Sequence, residues 1–182
     1  MPRLSKEIKE QIKTLDNSVL QEIILKLASK EKLVYDFVIT NYLNKETGEK
    51  ELFEITKVDL DLIFQKKHKG YAPELQLANM LGASIKRVNE FTKISKNKVL
   101  EANLLMYILE VPFSLTTDMF GTCFTQYDTK VAMIVKRLIN IVTTKLHEDY
   151  KIEYEDAINE YLKILHRTSR HVNTVYNLPK AI

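Results

Sequence analysis

The chain has one cysteine, four glycines, four prolines and no tryptophan in 182 residues. One cysteine cannot close an intrachain disulfide, so the fold must rest on burial and hydrogen bonding, which suits a reducing compartment. Few glycines and prolines leave few turns and argue for long elements. No apolar run approaches the ~20 residues that span a bilayer; VAMIV, for instance, stops at Lys136. The opening residues, Met-Pro-Arg-Leu-Ser-Lys-Glu, turn charged at once and lack the apolar run of a signal peptide. These absences predict a soluble, cytoplasmic protein without a membrane segment. Charge of one sign is scarce too: 27 Lys and Arg stand against 24 Asp and Glu, a net of +3. So small an excess names no partner, and the distribution along the helices must decide.

What is present is helical periodicity. Ser5 is placed to cap a first helix on Ile8, Ile12 and Leu15. A stripe of Leu20, Ile23, Ile24 and Leu27 predicts a second, and Leu33, Val34, Phe37, Val38 and Tyr42 a third, joined as an αα-hairpin. The polar turn NKETGEK, with Gly48 suited to a positive φ, separates these from a helix over about 51–67 that Gly70 ends. Pro73 opens the next, Asn97 caps another, and Pro112 should stop that one by disfavouring a helical Val111. Asp128 reads as the cap of an apolar helix to about His147, expected to be the core, and a last helix starts acidic and ends basic.

The predicted fold is therefore all-α, an irregular helical bundle or short α-solenoid of about seven or eight helices in a single domain over 1–182. Its parts are an N-terminal helix and hairpin (1–43), middle helices (51–110), a structured connection (111–127) and a C-terminal helix pair (128–178).

Metal chelation lacks its spacing in this sequence. His147, Glu148 and Asp149 are consecutive and point ~100° apart, and His166 and His171 diverge by ~140°. No metal site or cofactor is expected. Phosphate-binding loops, nucleotide fingerprints and serine elbows are absent as well.

Basic helix faces are the clearest surface signal. Lys163, His166, Arg167, Arg170 and His171 fall within ~140° of arc on the last helix, opposite Ile158, Tyr161 and Leu165. Lys86, Arg87, Lys93 and Lys96 make a second strip. Within 74–93, LANMLGASIKRV reads either as a helix-turn-helix with Gly82 at the turn or as one continuous helix. Both strips suit a polyanion or nucleic acid, yet cations late in a helix are also favoured by its dipole without any ligand.

The stretch 112–127 is chemically unlike its surroundings, uncharged apart from Asp118 and rich in Phe and Thr. Asp118 to Gly121 matches a type I turn, and the flanks read as a small β-hairpin or as an irregular loop laid across the helices. Phe113, Phe120, Cys123 and Phe124 would line an apolar pocket if one is open there. Cys123 has no basic neighbours to activate it and reads as a buried small hydrophobe.

The segments LDNSVLQEIILKLASKEKLVYDFVITNYL and LLMYILEVPFSLTTDMFGTCFT, the latter followed by a long helix, resemble an uncharacterised family of small, soluble bacterial helical proteins. Where that pattern has Gly-Asp, this chain has Gly121-Thr122. The resemblance implies a helical fold and transfers no activity and no site residues.

The reading expected from the sequence is thus a non-enzymatic module that binds a protein partner or self-associates. The alternatives are polyanion or nucleic-acid binding through the basic faces, and an enzyme built at 112–127.

Overall fold

The structure, a computed structural model, describes residues 4–66 and 72–182. The helix stop expected at Gly70 lies outside them. Nine α-helices and no strand are present among the described residues, so the fold is all-α. The chain divides into two compact units, one up to Glu49 and one from Lys50 to Ile182.

In the first unit, α1 (Lys6–Lys13) begins where Ser5 Oγ accepts the Ile8 N–H at 3.3 Å. α2 (Asn17–Lys30) and α3 (Lys32–Val38) pack on each other, joined through the extended residue Glu31. A π-helical turn, Ile39–Leu43, prolongs α3. Gly48 does not take the positive φ expected of it. It begins α4 (Gly48–Phe64), and a Cβ there would stand 3.0 Å from Thr40 Cα. Glycine is required by close approach, not by turn geometry.

The second unit is built around α7 (Thr125–Thr144), which packs against α5 (Pro73–Ile94), α6 (Lys98–Glu110), α8 (Glu148–Thr168) and α9 (Asn173–Tyr176). Val131, Val135, Leu138 and Val142 recur at helical spacing on α7 and are fully buried. α4 is tied in by polar interactions. Arg87 Nε donates to Asp59 Oδ2 at 2.7 Å, and the Tyr107 hydroxyl donates to Asp61.

Glu101 in the first turn of α6 is buried, which alone would raise its pKa. Hydrogen bonds from Lys98 and from Arg137 of α7 outweigh that burial and hold the carboxyl below its usual range.

Local expectations are corrected at four further places. First, 74–93 is not a helix-turn-helix: α5 runs unbroken for 22 residues through Gly82. Leu77, Leu81, Ile85 and Val88 keep one phase across the glycine, and a lone Gly costs only ~1 kcal/mol in a helix interior, less than the burial that those residues gain.

Second, Val111 stays helical (φ −62°, ψ −56°) despite the following proline. The chain widens there into a π-helical turn, Val111–Leu115. Widening moves aside the carbonyl that the proline ring would otherwise strike. Thr116 Oγ1 then donates to the Val111 carbonyl at 3.1 Å.

Third, 112–127 contains no hairpin. A 3-10 turn, Thr117–Met119, follows, and then an extended Phe120 (φ −75°, ψ 146°) precedes Gly121 at φ 73°. That pairing suits the two central positions of a type II turn, so Gly121 is its third residue and not the fourth of a type I turn.

Fourth, Asp128 is not a helix cap. α7 begins at Thr125, three residues earlier, and Asp128 is fully buried in its first turn.

Candidate functional site

The basic end of α8 is where the structure gathers the most sequence-predicted site residues. Lys163, His166, Arg167 and Arg170 line one cleft of ≈ 860 Å³. They project from the last two turns of α8 and the residues just after it. Asn159, Tyr176, Leu178 and Lys180 complete the lining, and no carboxylate takes part.

Two hydrogen bonds fasten the C-terminal segment beside the helix. His166 Nε2 lies 3.0 Å from the Pro179 carbonyl, so that nitrogen donates. The Ile182 N–H donates to Asn159 Oδ1 at 2.9 Å. Leu178 and Val175 are buried beneath, which anchors the wall of the cleft.

His166 therefore positions the wall, while the free charge sits elsewhere. Lys163 makes one exposed ion pair, with Glu160 at 3.5 Å. Arg167, Arg170 and Lys180 make no ion pair among the described residues. Three cations without an ion pair among the described residues make the potential of this concave site positive.

The second strip loses one member to the fold. Arg87 is only 9% exposed and is committed to Asp59 at 2.7 Å and Glu90 at 3.9 Å. A buried guanidinium already paired with two carboxylates has little left to offer a phosphate. Lys86, Lys93 and Lys96 stay exposed.

In the stretch 111–127, Phe113, Phe120 and Tyr127 pack into the core. Phe113 stacks on Tyr161 at 4.0 Å and 12°, and Phe120 lies 5.3 Å from both Phe113 and Tyr127. Tyr127 is fully buried, which pushes its phenol up to about 12, although a bond to Thr116 Oγ1 works the other way.

Asp128 Oδ1 accepts the Gly121 N–H at 3.0 Å and the Ser169 hydroxyl. It thereby pins the turn to the end of α8. Gly121 is irreplaceable on two counts, its positive φ and the 2.5 Å that would separate a Cβ from the Thr168 carbonyl. Cys123 is exposed, not buried as expected, and Phe124 is half-buried. The four residues grouped from sequence thus divide, two into the aromatic stack and two onto the loop outside it.

The first unit presents a different surface. Thirteen large apolar side chains between Leu4 and Leu43 are 39–72% exposed. They include Ile8, Ile12, Ile23, Ile24 and Leu27, the residues whose spacing predicted helices. Thr40 is the one buried residue among those described in the unit's three helices and π turn.

Among the described residues, no group of three or more His, Cys, Asp or Glu is placed to hold a metal ion, and no helix is long and apolar enough to cross a membrane. Sequence reasoning missed four residues of the cleft. Asn159 shares the helical phase of Lys163 and His166 on α8 and could have been read with them. Tyr176, Leu178 and Lys180 follow α8 with no helical phase to relate them to it, so only the fold could bring them there. Comparison with family models, curated proteins and solved structures finds no match for this chain.

Proposed function

We propose that this chain is a non-enzymatic interaction module, and that its N-terminal helices dock on a second copy of the same chain. The observation that carries the reading is the set of thirteen exposed apolar side chains from Leu4 to Leu43. Proteins in water rarely leave so much apolar surface within one short segment unless something covers it.

The magnitudes suffice. Fully burying one aliphatic side chain contributes ~1.5–3 kcal/mol. Half-exposed side chains give about half of that, so thirteen from one copy contribute on the order of 10 kcal/mol. The freedom lost on association costs ~4–15 kcal/mol, so a face contributed twice over is enough.

A second copy is favoured because charge does not oppose it. Eight Lys and Arg stand against eight Asp and Glu up to Glu49. A balanced, interspersed surface has no net field to repel its own kind or to select a strongly charged partner.

The test is sedimentation of the full chain over a range of concentrations, beside an Ile24→Glu/Leu27→Glu variant. Neither residue is buried, so the variant should fold as before. The reading predicts a reversible dimer that the double substitution turns into monomer. A full chain that stays monomeric throughout contradicts it.

A further inference from the structure

The cleft at the end of α8 belongs to the second unit; the helix dipole favours Arg167 in the last turn, but Arg170 and Lys180 lie beyond the helix and make no ion pair among the described residues. We infer that it is a binding site for single-stranded nucleic acid. Phosphates would lie along Lys163, Arg167, Arg170 and Lys180, and a base would stack on Tyr176.

The arrangement selects this ligand class over other anions in three ways. The cations form a row, not a point. Lys163 and Arg167 are one helical turn apart, about 6 Å at ~1.5 Å per residue, and Arg170 continues the lining beyond the helix end, which is longer than one phosphate and suits a backbone with successive charges. The surface is also concave, with its far wall supplied by the C-terminal segment. A duplex is read by an element that protrudes into its groove, whereas a strand lies in a channel.

The third feature is Tyr176, 66% exposed at the end of α9 and lining the same cleft as the cations. Aromatic platforms beside basic grooves hold bases by stacking without demanding a sequence. An inorganic polyphosphate has no use for that ring.

The proposal is tested by fluorescence anisotropy on the full chain with a labelled thymidine strand of about 12 nucleotides, within the span that single-strand sites cover, at low salt. A duplex of the same length and an inorganic polyphosphate serve as competitors. The strand should bind more tightly than the duplex, and log affinity should fall linearly with log salt. Arg167→Ala/Arg170→Ala should weaken binding at least tenfold and flatten the salt slope by about 0.7 for each phosphate no longer neutralised.

Tyr176→Ala should weaken binding about fivefold or more, the effect of losing one stacked base, while Tyr176→Phe keeps it. Because Tyr176 is exposed, its replacement tests stacking and not folding; unchanged circular dichroism confirms that. Absence of binding at low salt overturns the proposal. So does a preference for duplex. Equal competition by polyphosphate with no effect of Tyr176→Ala would show a polyanion site instead, and overturns it as well.

Discussion

The two units of this chain treat the same kind of helix in opposite ways. All thirty buried apolar residues among those described lie between Leu52 and Leu178. From Leu4 to Leu43 there is none, although Ile, Leu and Val recur at helical spacing there too. An apolar stripe says that a helix must be covered; it does not say whether the cover comes from the same chain. In the second unit α7 supplies it to α5, α6, α8 and α9. In the first, α2 and α3 touch each other and leave their stripes half in water.

The sharpest way to break this comparison is to remove the same chemistry on each side of it. Leu138→Ala removes a fully buried side chain from the middle of α7. It should cost ~2–5 kcal/mol of unfolding free energy, read as a lower urea midpoint with an unchanged slope. Gly121→Ala comes next. It forces a positive φ on a residue with a Cβ, and against the Thr168 carbonyl. A loss of ~1–3 kcal/mol is expected for such strain; a neutral outcome would mean that the turn is free to move away from α8.

A smaller effect should appear with pH. The Glu101 carboxyl is held below its usual range by Lys98 and Arg137 despite burial. A depressed carboxylate contributes stability that is present above the unfolded value near 4.3–4.5 and is lost as pH falls through the folded one. Glu101→Gln should therefore flatten the loss of stability on acidification below about pH 4.5. Equal slopes for the two proteins would contradict the ion-pair account.

The smallest effect belongs to the first unit. Ile24→Ala in dilute, monomeric protein should change stability by no more than about 0.5 kcal/mol, because little is buried there to lose. At high concentration, where the docking face is covered, the same substitution should cost measurably more.

Much of this was legible in the sequence, and the places where it was not share a cause. Helix phase is local, so Ser5, Pro73 and Asn97 could be read as starts, and α7 as an apolar helix, from neighbouring residues alone. Arg87 looked like part of a basic strip because its partner Asp59 is 28 residues away on another helix. Asp128 looked like a cap because its acceptor role toward Gly121 and Ser169 depends on α8 folding back beside it. The aromatic content of 112–127 suggested one grouping, but stacking on Tyr161 across the fold takes Phe113 into the core, with Phe120 beside it, and leaves Cys123 and Phe124 outside. At α8 the basic face was visible from its spacing, whereas Tyr176 and Lys180 joined it only through α9.

The docking face itself is tested most directly by hydrogen exchange measured at several protein concentrations. The account predicts that amides of α1, α2 and α3 become more protected as concentration rises, while those of α7 keep the same protection throughout. Exchange in α1 to α3 that does not change with concentration would contradict it.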